Sequence, residues 1–380
     1  MMMSSEPSFS SGPPSFQLPG LEAFEGLCVA SDCAVIFAGG FEDRTTALLE
    51  SVSEVAFGAR AILIDYDPGD PANKSKSMIA QIKAARFTFD YEEDVLLFNR
   101  FSPDGFGRRL RLRLATGVRK VVVDISSMSK MALLLTLDVC RELDLDVSLF
   151  YTEAEFYGPS REDYEAAKKA EQIHQPTIQV YSGIGGVVRS ARLSSVAMQG
   201  EPLAAIMFMS FNEVLTQALL NCVYPSRLFL VNGRPPEHHW REEATAWIHE
   251  RLRSEWPEED NPLNSIKLPE RSTSTLDYRE TVSTLLQLYW QLSSDYRLVL
   301  APTGSKMQAV GAFICRALHP DIHIEYPTPK GYLRLYTRGV GKKWIVRYGM
   351  LGTATEAWRR QDRINALGLQ EITSFADQAD

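Results

Sequence analysis

The sequence is short of cysteine, histidine and long apolar runs. Its five cysteines, Cys28, Cys33, Cys140, Cys222 and Cys315, form no CxxC pair, and four sit in or beside apolar runs. That pattern reads as buried thiols in a reducing compartment. The six histidines supply no HxxxH helix pair and no Cys-His site, so no metal centre is expected. No segment reaches the ~18 uninterrupted apolar residues of a membrane span. The Ser/Pro-rich start lacks the charged and apolar regions of a secretion signal, so a cytoplasmic protein is expected. No GxSxG elbow or Cys-His pattern marks a covalent nucleophile. No cluster of acidic residues with lysine marks a metal-dependent nuclease, and no cofactor is implied. Net basic charge is also absent: the net charge is −8. This argues against a general nucleic-acid coat protein, although not against a local basic groove.

What is present is a large apolar fraction, 45% of 380 residues, enough for the cores of two ordinary domains. Two stretches organise the chain. Leu298 to Ala312 is an apolar strand, then Pro302-Thr303-Gly304-Ser305, then Lys306 and an apolar helix. Val121 to Leu135 has the same form, with Ser126-Ser127-Met128-Ser129-Lys130 as its turn. Ser129-Lys130-Met131 returns as Ser305-Lys306-Met307, 176 positions later. Phe41 returns as Phe211 after 170 positions, and Tyr151 and Tyr157 as Tyr326 and Tyr332 after 175. Such ordered matches at nearly constant offset point to a tandem repeat.

The pattern between these landmarks predicts a fold class of α/β: two doubly wound, mostly parallel, Rossmann-like units. Residues 1–25 read as a flexible segment, 26–160 as the first unit, and 161–202 as a connecting helix and linker. Residues 203–350 read as the second unit with a C-terminal hairpin, and 351–380 as a helix and acidic tail. Within the first unit a helix is expected from Thr45 to Phe57, capped by Asp43. A strand is expected at Thr177 to Tyr181, a helix from Glu237 to about Trp256, an acidic loop at Glu258-Glu259-Asp260 and a weak strand near Ser265 to Leu268. The hairpin is expected between Tyr332–Tyr336 and Lys343–Tyr348.

Candidate site residues follow from the rule that ligands bind at the carboxyl ends of the strands in such sheets. Thr303, Gly304, Ser305 and Lys306 are read as a phosphate or ribose site: two hydroxyls, a glycine that permits close approach, and a neutralising ammonium. It is not a Walker A loop, since the first glycine and the Gly-Lys-Ser/Thr order are missing. Asp124, Ser126, Ser127, Ser129 and Lys130 are the counterpart, with helix capping by Asp124 and Ser126 as the competing reading. Gly39, Gly40, Glu42 and Arg44 follow the first strand, as Ser210 and Asn212 follow its later equivalent. Glu42 and Arg44 either face a ligand or pair on the surface. Arg108, Arg109, Arg111 and Arg113, with Arg119 and Lys120, form the one dense basic cluster. A solvated helix face and a contact to nucleic acid or a partner are its two readings.

At Thr303-Gly304-Ser305-Lys306-Met307 the chain resembles the CARF family, Rossmann-like domains that bind cyclic oligonucleotides in prokaryotic antiviral systems. In that family a Thr-Gly-Gly-Thr-Lys-like turn after a core strand contacts the ligand. Here one glycine is absent and Ser305 stands in place of threonine, and Ser126-Ser127-Met128-Ser129-Lys130 departs further. A tandem pair resembles the SAVED arrangement of two fused CARF-like units. The resemblance implies a nucleotide or oligonucleotide ligand in a cleft between the units, near Ser129-Lys130 and Ser305-Lys306. It also implies a sensor or regulatory subunit acting on a separate effector, since both halves are used by the sensing units. Two other classes stay open. One is a nucleotide or phosphodiester hydrolase in which Lys130 or Lys306 stabilises charge. The other is a structural subunit that docks nucleic acid or a partner through Arg108–Lys120.

Overall fold

A computed structural model describes residues 17–172, 180–255, 271–333 and 336–376. The apolar runs become the strands of two sheets. The first sheet runs, in spatial order, Glu22–Ala23, Lys343–Met350, Asp146–Thr152, Lys120–Asp124, Cys33–Ala38, Arg60–Asp67, Val95–Asn99. Its five strands from Asp146–Thr152 onward are parallel, and the two at the other edge are antiparallel. The second sheet runs Ser272–Ser274, Arg227–Arg234, Leu203–Phe208, Arg297–Ala301, His323–Ile324, all parallel. Counted along the chain within each sheet, the parallel strands of both stand in the order third, second, first, fourth, fifth. The connections reverse direction between the first and fourth strands, so each sheet opens a crevice there at its carboxyl edge.

The central strands are continuous apolar runs because both faces are covered. All six residues of Cys33–Ala38 are buried, and β-branched Val121, Val122 and Val123 suit a pleated surface. The helices Lys130–Glu142 and Lys306–Leu318 are buried on most of their circumference. Their side chains belong to one apolar core that also takes in strands of both sheets. A helix that is apolar nearly all round needs cover on more than one face. Here each covers its own sheet, and the two helices pack against one another. Each begins on a serine N-cap: Ser129 Oγ accepts from Ala132 N, and Ser305 Oγ from Gln308 N in a capping box.

Several sequence expectations are corrected. No long helix follows Asp43. Two short 3-10 turns, Asp43–Thr46 and Leu49–Ser51, lead instead to the strand Val52–Val55, which pairs with Leu27–Val29. Thr45, Thr46, Val52 and Val55 are β-branched and stiff at χ1, which disfavours a helix. Asp43 caps nothing; its carboxylate accepts from Gly339 N–H. The expected helix from Glu237 is divided into Trp240–Ile248 and Glu250–Glu255. Among the described residues the expected C-terminal hairpin is absent. Tyr326–Tyr332 pairs with Tyr181–Val188 as an antiparallel ribbon, while Lys343–Met350 crosses to the first sheet and covers the edge strand Asp146–Thr152. Glu22–Ala23, within the segment expected to be flexible, extends that edge. Of the strand expected at Thr177 to Tyr181, only its end is described, and it opens the ribbon strand. The expected acidic loop at 258–260 and the strand near Ser265 to Leu268 lie outside the described residues. Cys33, Cys140 and Cys315 are buried thiols, whereas Cys28 and Cys222 are exposed. Among the described residues, no helix is long and apolar enough to cross a membrane.

Candidate functional site

The carboxyl edges of the two sheets open into two adjoining cavities of about 380 Å³ each. The first lies over the crevice of the first sheet but is shared between the halves. Gly39, Gly40, Ser127, Ser129 and Lys130 come from one half, and Gly304, Ser305 and Lys306 from the other. The second cavity lies over the crevice of the second sheet, between Met209-Ser210-Phe211 and Thr303-Gly304-Ser305. Gly304, Ser305, Tyr151, Tyr157, Tyr181 and Tyr336 line both.

Most polar atoms of the predicted turns are already used by the protein. Ser127 Oγ donates to Ala38 O at 2.8 Å, and Thr303 Oγ1 donates to Phe208 O. Each bond ties the fourth strand of a sheet to the end of its first, at equivalent places in the two halves. Ser126 Oγ accepts from Thr152 N, and Asp124 Oδ1 from Ser126 N, both at 2.9 Å. Ser129 N–H donates to the Tyr66 hydroxyl at 2.6 Å. Ser305 N–H donates to Gln308 Oε1, and Ser305 Oγ to Thr275 O, both at 2.7 Å. Asn212 Oδ1 accepts from Val214 N and caps the helix Glu213–Val223, away from either cavity. Asp124 and Ser126 are buried beneath the turn and line neither cavity. Burial pushes Asp124 up to about 6, against the opposing effects of Ser126, Arg44 and Lys306.

The glycines serve close packing. A Cβ on Gly40 would stand 2.8 Å from the Ser127 Cβ, and one on Gly39 2.2 Å from Ser75 Oγ. On Gly304 it would meet Gln308 Oε1 at 2.1 Å. At Gly40 the neighbour is the fixed Cβ of Ser127, so only glycine fits without a shift, whereas at Gly39 and Gly304 the nearest atoms are side-chain ends.

Glu42 and Arg44 do pair, but in the interior. Arg44 is 3% exposed; its Nε donates to Glu42 Oε2 at 2.7 Å and its Nη1 to Thr152 O at 2.8 Å and the Tyr157 hydroxyl at 3.1 Å. Thr337 adds a hydrogen bond to the same Glu42 oxygen. Burial alone would raise the Glu42 carboxyl, yet Arg44 and Lys306 hold it below its ordinary value. This pair joins the first strand's turn to the end of Asp146–Thr152 and to Thr337 near the C-terminus.

Lys130 and Lys306 stand apart from this economy. Both line the shared cavity, and among the described residues neither makes a hydrogen bond or an ion pair. Lys130 has only the face of Tyr326, 5.9 Å from its ammonium. Burial, then the charge of Lys306, pulls Lys130 down to about 7. Burial pulls Lys306 down to about 8, with Arg44 acting the same way and Glu42 and Asp124 opposing. Two ammonium groups brought together raise the energy of the cavity, Glu42 and Asp124 offset this only in part at Lys306, and an anion between the two lysines lowers it further.

Sequence reasoning missed the rest of the wall. Tyr66, Tyr151, Tyr157, Tyr181, Tyr326, Tyr332 and Tyr336 face the shared cavity, as do Arg100 and Lys330. Burial raises Tyr66 to about 12 and raises Tyr326 and Tyr332 as well, so these hydroxyls stay neutral. Tyr151, Tyr157, Tyr326 and Tyr332 had appeared only as repeat markers; their recurrence beside the Ser-Lys turns was the available signal. Arg241, in the second cavity, is 8% exposed and donates to the carbonyls of Tyr157, Gly158 and Pro159.

The predicted basic cluster lies elsewhere, on the helix Phe106–Leu114. Arg111 pairs with Glu142, Arg113 with Glu93 and Asp94, and Arg109 donates to Leu97 O, while Arg108 is exposed and, among the described residues, unpaired. Among the described residues, no three His, Cys, Asp or Glu side chains gather as a metal would need. No protein-family model matches the chain, and no curated protein matches its sequence.

Proposed function

We propose that the two sheets are two copies of one Rossmann-like unit, and that the cavity between them binds a nucleotide, cyclic nucleotide or oligonucleotide. The chain then acts as a sensor or regulatory subunit on a separate effector, the role its resemblance to CARF- and SAVED-like proteins implies. The duplication is supported by the shared strand order. It is supported also by the two 13-residue serine-capped helices and by the paired bonds of Ser127 to Ala38 and Thr303 to Phe208.

The observation that carries the ligand reading is the convergence of Lys130 and Lys306 in one cavity with no hydrogen bond or ion pair to either among the described residues. Phosphate supplies the missing charge. The surrounding tyrosines supply faces on which a base stacks and neutral hydroxyls that bond sugar or base edges. Because the lysines come from different halves, a ligand that touches both fixes the halves relative to one another. A partner that distinguishes the fixed from the free arrangement then reads the signal as a population shift. The hydrolase alternative gains less support, because the turn hydroxyls are committed to carbonyls and amides of the protein.

The test is mass spectrometry of small molecules released by denaturing the purified protein, with the Lys130→Met/Lys306→Met double variant prepared in parallel. A nucleotide present in the first sample and lost from the second supports the reading. Failure to bind any member of a panel of mononucleotides, cyclic dinucleotides and short cyclic oligonucleotides, measured by calorimetry, contradicts it.

A further inference from the structure

A third cavity, of about 280 Å³, lies at the far end of the two packed helices. Lys130 and Lys306 open these helices at the shared cavity. Arg141 and Arg316 stand about 15 Å further along them, at ~1.5 Å per residue, and both line the third cavity. Arg192 joins them from the 3-10 turn Ala191–Leu193 in the segment that connects the halves. Among the lining residues these three arginines meet one carboxylate. Asp138 accepts from Arg141 Nη2 on one oxygen and from Arg192 Nε on the other, both at 2.9 Å. Glu142, outside the lining, pairs with Arg192 and with Arg111. Both carboxylates are thus held by other arginines, and among the described residues no ion pair reaches Arg316. Its Nη2 donates to Ser194 O at 3.4 Å. The Nε–H groups of Arg141 and Arg316 are buried and have no hydrogen-bond partner among the described residues. Burial pulls Arg316 below its ordinary value and Arg141 acts the same way, with Asp138 and Asp321 opposing only in part. An arginine suits the carbonyl-rich last turn of a helix, which accounts for Arg141 and Arg316 singly. It does not account for their meeting Arg192 in one cavity.

We propose that this cavity is a second anion site, separate from the shared cavity, and that it takes a free oxyanion of the size of phosphate or sulfate. Planar guanidinium forks match the oxygens of such an ion and bind them in pairs. Arg111, Arg141, Arg192 and Arg316 stand against Asp138 and Glu142, which leaves charge for a dianion. The rest of the lining is Leu193, Phe313, Ala317 and Pro320, with no polar side chain. The site therefore recognises charge and offers no side-chain donor or acceptor for a sugar or a base. An oxyanion bonded to Arg141 and Arg316 ties the two helices together at the end remote from Lys130 and Lys306, and so joins the halves a second time. The proposal stands whatever the shared cavity binds.

The experiment titrates inorganic phosphate and sulfate by calorimetry into the full chain carrying Lys130→Met/Lys306→Met, at constant ionic strength. That double variant removes the lysines of the shared cavity, so heat that remains has another source. Saturable binding of both anions is expected. Adding Arg316→Gln is expected to weaken it roughly tenfold or more, the loss of one hydrogen bond between charged groups. Arg192→Gln, added separately, is expected to weaken it in the same direction, and melting curves show that each variant folds. General stabilisation by these salts is neither saturable nor sensitive to a single arginine, so it is told apart from binding. Absence of saturable heat with both anions in the lysine double variant, or an affinity unchanged in every arginine variant that folds, overturns the proposal.

Discussion

Ser127 donates its hydroxyl hydrogen to the carbonyl of Ala38, and 176 positions later Thr303 does the same to Phe208. Each bond closes the gap between the first and fourth strands of its sheet at the carboxyl edge, where the strand connections part in opposite directions. A crevice opened there exposes backbone carbonyls, and a short hydroxyl side chain on the following turn satisfies one of them at little cost in space. The same bond therefore shapes both cavities from below.

Replacing Thr303 with valine keeps the shape and leaves the Phe208 carbonyl without this partner. Because Thr303 is 2% exposed, the loss is expected to be about 1–3 kcal/mol in urea unfolding. Ser127→Ala is expected to cost less, since Ser127 is only half-buried and water reaches the vacated carbonyl more readily. Equal and negligible losses would show that these bonds are incidental to the edge.

Arg44, a candidate ligand contact, lines the shared cavity and also serves as a strut beneath it. Arg44→Met strands the buried Glu42 carboxylate and removes two further bonds. The expected cost is about 3–5 kcal/mol, the usual penalty for breaking a buried pair on one side. Arg44→Met/Glu42→Leu is expected to recover a large part of it, because the orphaned charge is gone. Urea denaturation of the three proteins gives the comparison.

The depressed lysines give stability a pH dependence of predictable sign. With Lys130 near 7 and Lys306 near 8 when folded, and ordinary values near 10.5 when unfolded, the unfolded chain binds more protons between about pH 7 and pH 10.5. These two groups therefore make stability rise with pH through that window. Lys130→Met/Lys306→Met is expected to exceed the native protein in stability at pH 6.5, the gap closing as pH approaches 10. Asp124 acts with the opposite slope at lower pH. Its folded value near 6 lies above the ordinary 3.8, so its contribution is lost as pH rises from about 4 through 6. Denaturation midpoints from pH 4 to pH 10 check both slopes.

How much of this was legible in the residues depends on range. Local signals carried far: Ser129 and Ser305 each precede Lys-Met and an apolar run, and helices begin there as expected, although these serines were read as ligand contacts and serve as N-caps, a role given to Asp124 and Ser126. The valines of Lys120–Asp124 and the run Leu298–Ala301 could hardly be other than covered strands. Long-range pairing was not legible. Trp344, Ile345 and Val346 read as one arm of a local hairpin because nothing in their own pattern names Asp146–Thr152 as their partner. The site divided in the same way. Lys130 and Lys306 were visible because the matching Ser-Lys-Met stretches marked them. Arg100, Tyr181 and Lys330 sit in unremarkable local sequence and reach the cavity only through the strand order and the Tyr181–Val188 ribbon. The hydroxyls of Ser126, Ser127 and Thr303 looked available because their partners lie on other strands.

The most direct test of the account is calorimetric titration of the native protein, Lys130→Met and Lys306→Met with mononucleotides, cyclic dinucleotides and short cyclic oligonucleotides at pH 6.5. The native protein is expected to bind at least one of these. Each single variant is expected to lose roughly 1.5–3 kcal/mol of that affinity, the worth of a hydrogen bond to a charged group, while melting no lower than the native protein. Native binding that survives unchanged in either variant would contradict the claim that a phosphate bridges the two halves through this pair of lysines.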